Sequence, residues 1–85
     1  MEQWIEQKPM MNLSQQQRAE AERLFSQGLR AAQNHEYASA AAYYQKAADL
    51  GHPGAQNNLG NLYRRGDGTP QDQEKAFQLY YQCAR

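Results

Sequence analysis

NNLGNLYRRGDGTPQD, residues 57–72, decides how the rest of the chain is read. Leu59, Leu62, Tyr63 and Gly66 fall on one side of the helical period, and Asn57, Asn61, Arg64 and Arg65 fall on the other. The stretch is therefore the back half of an amphipathic helix. Gly66 and Gly68 stop it, and Pro70 and Gln71 lead into a second helix. Gly60 lies inside the first helix, where glycine costs about 1 kcal/mol relative to alanine. A glycine kept there predicts a closely packed neighbour, most simply another backbone.

Working outward, the same pattern appears upstream. Ser14 and Gln17 have the spacing of a capping box. Ala21, Leu24, Phe25, Gly28 and Ala31 or Ala32 then recur at helical spacing until Asn34–His35. A second helix starts near Tyr37, carries Ala40, Tyr44, Ala47 and Ala48, and ends at Leu50–Gly51. Pro53 suits the first turn of the third helix, because the N–H it lacks has no partner there anyway. The fourth helix carries Ala76, Leu79, Tyr80, Cys83 and Ala84. Ala40, Tyr44 and Ala48 return as Ala76, Tyr80 and Ala84, each 36 residues later, and Gly60 echoes Gly28. The expected organisation is an N-terminal arm over 1–13, a first helical hairpin over 14–52 and a second over 53–85. In the arm, Pro9 interrupts any helix, and Trp4 and Ile5 are candidates to dock on the domain or on a neighbour.

Composition supports an all-α chain. Its 85 residues include no valine, one isoleucine and one threonine, whereas strands favour β-branched residues. Nine basic residues balance nine acidic ones with no charged tract, which argues against nucleic acid as a partner. No stretch is apolar enough to span a membrane, and the N-terminus lacks the pattern of a signal peptide. Cys83 is the only cysteine, so no internal disulfide can form. A cytoplasmic protein is the expectation, with a mature exported form left open.

Residues 55–84 resemble a Sel-one-like repeat. The family's alanine, Leu-Gly, tyrosine, Gly-x-Gly turn, aspartate, Lys-Ala and tyrosine are matched here by Ala55, Leu59–Gly60, Tyr63, Gly66–Gly68, Asp72, Lys75–Ala76 and Tyr80. The end of the first unit, YYQKAADLGHPGA, resembles the same family. Its hairpin is shorter, however. Gly28 to Ala40 is 12 residues, against 16 from Gly60 to Ala76, and that spacing is more similar to a tetratricopeptide repeat. The resemblance implies an α-solenoid of two stacked helix-turn-helix hairpins, right-handed in its superhelix, with the leading helices along a concave wall. It also implies a non-catalytic protein–protein interaction module, an adaptor or scaffold.

The residues themselves offer little chemistry. His35 and His52 lie in linkers without ligands at zinc spacing, and GDGTP matches neither a phosphate loop nor a calcium loop. No cofactor and no metal are expected, and the chain is not expected to be an enzyme. One polar constellation suits a ligand. Asparagine amides and an arginine fork can hold a carboxylate or a peptide backbone. Asn57, Asn61, Arg64 and Arg65 supply them, and Phe25, Leu29, Ala32 and Gln33 occupy the matching positions of the first unit. Together they predict a peptide-binding groove, apolar at one end and polar-basic at the other. Two alternatives remain open at this point. The chain could be a self-associating module, a homodimer formed through an apolar end patch of Leu79, Tyr81 and Cys83. It could also be a regulatory fragment of a larger repeat protein or enzyme.

Overall fold

The computed structural model describes residues 13–84. The expected arm, with Trp4 and Ile5, lies outside these residues. Four helices follow one another: α1 (Leu13–Gln33), α2 (Tyr37–Asp49), α3 (Pro53–Arg65) and α4 (Gln73–Ala84). No strand occurs among the described residues. Helix α2 packs on both α1 and α3, and α4 packs on α3, so the two hairpins stack in chain order.

A glycine–tyrosine pair holds each hairpin together. A Cβ at Gly28 would lie 2.6 Å from the Tyr44 ring, and one at Gly60 would lie 2.8 Å from the Tyr80 ring. The neighbour of Gly60 is thus an aromatic side chain, not the backbone expected from the sequence. Absence of a Cβ lets the ring pack directly against the leading helix, and small residues of the trailing helix complete the contact. Ala40, Ala47 and Ala76 are completely buried. The continuous core joins Leu24 and Ala31 of α1, Ala40 to Ala48 of α2, Ala55, Leu59 and Leu62 of α3, and Leu79 of α4.

The helix ends follow from local chemistry. Helix α1 begins at Leu13, so Ser14 lies inside its first turn and not at the expected N-cap. His35 takes a left-handed conformation, φ 63°, to turn the chain from α1 into α2. Its ring pairs with the Tyr37 hydroxyl at 3.1 Å. Gly51 (φ 88°) ends the α2–α3 corner. His52 then caps α3, its Nδ1 accepting from the Ala55 N–H at 3.1 Å. Gly66 closes α3 at φ 77°, where the N–H groups of Gly66 and Asp67 both donate to the Leu62 carbonyl. Asp72 starts α4 by accepting from the Lys75 N–H at 3.0 Å. Gly68 has two reasons to be glycine. Its φ is 75°, and a Cβ there would land on the Tyr37 carbonyl group. The long turn of the second hairpin thereby rests on the start of α2 and locks the two units.

The expected exposure of Leu79 is corrected. Leu79 is 5 % exposed and belongs to the core. It stands three residues after the buried Ala76 and beside Tyr80, on the stripe of α4 that faces α3. Tyr81 is exposed and Cys83 is half-buried. The second large apolar side chain that α4 exposes is Phe77, 67 % exposed, as Tyr81 is.

Candidate functional site

The expected groove residues divide into three groups. On α1, Phe25 is not an open wall. Its ring stacks on His52, with centroids 4.4 Å apart, and touches Tyr44 at 5.9 Å. It acts as a spacer between α1 and the start of α3, beneath the His52 cap. Leu29 and Gln33 are exposed on the same helix, and Ala32 is half-buried.

On α3, Asn61 and Arg64 meet at one hydroxyl. Tyr80 donates to Asn61 Oδ1 at 2.5 Å and accepts from Arg64 Nε at 3.1 Å. A tyrosine ring placed against Gly60 brings its oxygen to the residues one and four positions further along the helix. Gln71 adds a bond from its amide to the Arg64 carbonyl at 2.8 Å. The side chains of Asn61 and Arg64 are thereby oriented by the fold. Asn57 is exposed and takes no part in this cluster.

Asn61 also lines a small open pocket of about 180 Å³ with Arg65 and Asn58. Ala32 closes it from α1, Tyr37 and Tyr44 from α2, and Leu62 from α3. Arg65 lies 3.8 Å from Asp67, a loose and exposed ion pair. Tyr44 is 2 % exposed, and its burial pushes the phenol above its ordinary value, partly offset by a hydrogen bond with Asn58. The two tyrosines therefore find different partners. The positions on α1 that match Asn61 and Arg64 are Leu29 and Ala32, which cannot bond a hydroxyl. Tyr44 instead bonds across the unit boundary to α3, which ties the pocket floor to the stacking of the two hairpins.

Asn58, Tyr37, Tyr44 and the Tyr80 hydroxyl were not among the expected site residues. The signal for them was present: a buried tyrosine needs a partner for its O–H, and asparagines on the facing helix supply one. A larger notch of about 600 Å³ lies elsewhere, between Arg18–Glu22 of α1 and Leu50–Gly54. Its polar centre is already satisfied, because the His52 Nε2–H donates to Glu22 at 3.0 Å while Nδ1 caps α3. Both histidines serve the linkers, His35 by turning the chain and His52 by capping α3. No group of three or more metal-ligating residues is found among the described residues. No described helix is long and apolar enough to cross a membrane.

The chain matches the Sel1 repeat over residues 14–52 and again over residues 53–85. It is similar to an exopolysaccharide production negative regulator of Rhizobium leguminosarum bv. viciae, 39% identical over 62 residues, which are 73% of this chain and 23% of that protein. It is also similar to DAP3-binding cell death enhancer 1 of Mus musculus, 48% identical over 42 residues, 49% of this chain and 8% of that protein. The matched region is thus less than a quarter of either relative. No solved structure matches the chain. Repeat match, helical hairpins and glycine–tyrosine packing agree: the chain belongs to the Sel1 repeat family, whose helical solenoid repeats are non-catalytic modules of protein–protein interaction.

Proposed function

We propose that this chain binds an extended or helical protein segment along α1 and α3, and that a carboxylate of that segment is held by the asparagine–arginine end. The observation that carries this reading is the Tyr80 hydroxyl bound to both Asn61 and Arg64. It fixes two recognition side chains before a ligand arrives, which lowers the ordering cost of binding. Asn61 accepts through its oxygen, so its amide N–H groups are left to donate. Arg64 uses only Nε, so its terminal guanidinium nitrogens are left for a carboxylate. Arg65 and Asn58 extend the polar end, and Leu29 with Ala32 offers an apolar contact at the other.

The role is that of an adaptor or scaffold, without a reaction of its own. Two of the relatives are named as a regulator and as a protein that binds another protein, and both names fit a repeat that serves by binding. The test uses peptides selected against the full chain from a random-sequence library. Their affinity is measured by calorimetry for wild type and for Asn61→Ala/Arg64→Ala. Hydrogen bonds to charged groups contribute about 1.5–3 kcal/mol each, so the double variant should bind at least about tenfold more weakly. Equal affinities, with helical content unchanged, would move the site off this groove.

A further inference from the structure

We infer that the notch beside His52 is the seat of the chain's own N-terminal segment, EQWIE of residues 2–6, with Trp4 and Ile5 against its apolar walls. The notch exists because α1 is longer than its repeat. Aligned on Gly28 and Gly60, Ala21 matches Pro53, the first residue of α3, so residues 13–20 of α1 have no counterpart there. Residues 14–20 of this extension are all exposed. Arg18 and Ala19, near its end, face the α2–α3 corner across the notch. A Cβ built on Gly51 at that corner would meet nothing within 4 Å.

The chemistry of the notch selects the occupant. His52 and Glu22 satisfy each other, and the second His52 nitrogen caps α3, so a purely polar ligand gains little at the centre. Ala21, Leu50 and Pro53 line the rest with apolar surface, and Leu50 is 37 % exposed. Arg18 brings a guanidinium that forms no ion pair among the described residues. The fitting occupant is a large apolar side chain with a carboxylate close to it in sequence. Trp4 and Ile5, flanked by Glu2 and Glu6, have that pattern. An indole also needs an acceptor for its N–H, and Glu22 keeps the oxygen that His52 does not use.

Reach decides between the notch and the peptide groove. Trp4 stands nine residues before Leu13, which lets it span roughly 30 Å at full extension. Arg18 to Glu22 lie only about 8–14 Å along α1 from Leu13, at 1.5 Å per residue. Leu29, the near edge of the groove, lies about 24 Å along it, and Asn61 and Arg64 stand on another helix. Pro9 interrupts a helix and so lets the segment double back, and that turn uses up part of the length. The notch is within easy reach of Trp4, and the polar end of the groove is not.

Trp4 is the only tryptophan, so its fluorescence reports the seat directly. In the full chain, excited where tyrosine does not absorb, Trp4 should emit at shorter wavelength than free indole. Acrylamide should quench it several-fold less, and neither property should change on dilution. Arg18→Glu/Leu50→Glu should shift the emission to that of exposed indole with the helical spectrum unchanged. Asn61→Ala/Arg64→Ala should leave it as in wild type, which separates this inference from the groove reading. Should the notch variant lose helix, Ile5→Glu, which alters only the seated segment, reads the same outcome as several-fold stronger quenching. A wild-type Trp4 as exposed as free indole overturns the proposal. So does a shielded Trp4 that is indifferent to the notch variant, that is released by Asn61→Ala/Arg64→Ala, or that becomes exposed on dilution because it sits on a second copy.

Discussion

Gly60→Ala should destabilise the domain even though alanine is the better helix former. The added Cβ would sit 2.8 Å from Cε1, 3.1 Å from Cδ1 and 3.3 Å from Cζ of Tyr80. Carbon atoms in contact prefer about 3.5–4.0 Å, so the ring must retreat by roughly 0.7–1 Å. These atoms belong to a rigid ring, and its hydroxyl is held by Asn61 and Arg64. Overpacking of this kind costs about 1–3 kcal/mol, and a disturbed hydrogen bond adds about 0.5–1.5 kcal/mol. Helix propensity returns about 1 kcal/mol. The net loss should be about 0.5–3.5 kcal/mol, read as a lower melting temperature by circular dichroism, at about 4–8 °C per kcal/mol for a domain of this size. In a Tyr80→Ala background the clash is gone, so the same Gly60→Ala change should stabilise. A melting temperature that rises on Gly60→Ala in the wild-type background would refute the glycine–tyrosine account of the hairpin. Gly28→Ala should cost more, since Tyr44 is closer and only 2 % exposed.

Other outcomes follow from the same contacts. Gly68→Ala combines a left-handed φ with a collision against Tyr37, so it should lower stability by at least about 2 kcal/mol in urea unfolding; an unchanged midpoint would show that the turn does not rest on α2. Tyr80→Phe keeps the ring on Gly60 and removes the hydroxyl. It should weaken peptide binding several-fold while the melting temperature changes little, and unchanged affinity would show that Asn61 and Arg64 need no orientation. Burial raises the Tyr44 pKa above its unfolded value of 10.0, so the neutral phenol favours the folded state. That contribution is fully present below about pH 10 and is lost as the pH climbs through the raised folded value. Thermal melts from about pH 9 to about pH 11 should show a decline that is smaller in Tyr44→Phe, and identical declines would count against the buried phenol.

The fold was legible because the signals were local and repeated. Proline at the start of α3, glycines at its end and alanine–tyrosine spacing 36 residues apart each name one element, and the repeat supplies the stacking. Gly60 marked close packing but not what packs there, since a ring and a backbone exclude a Cβ equally well. Helix α4 was harder. Leu79 and Phe77 are both large and apolar, and only the rotation of α4 about α3 separates buried from exposed. The repeat shift alone pairs Leu79 with the half-buried Tyr43, which does not reveal that rotation. The groove was partly legible: the polar face of α3 was visible from periodicity. That Tyr44 and Tyr80 need partners for their hydroxyls was legible too, but which asparagine each reaches was not, because that depends on where each ring lands along the facing helix. Phe25 looked like a groove wall by alignment with Asn57, yet the His52 cap above it turns that position inward.

Amide chemical-shift mapping tests the central claim most directly. The full chain, labelled with nitrogen-15, is titrated with a peptide selected as its ligand. The account predicts that the largest shifts cluster at Leu29 and Ala32 of α1 and at Asn58, Asn61, Arg64 and Arg65 of α3, while Lys46 and Asp49 of α2 stay still. Shifts confined to α2, or to the notch around Leu50–Gly54, would contradict it.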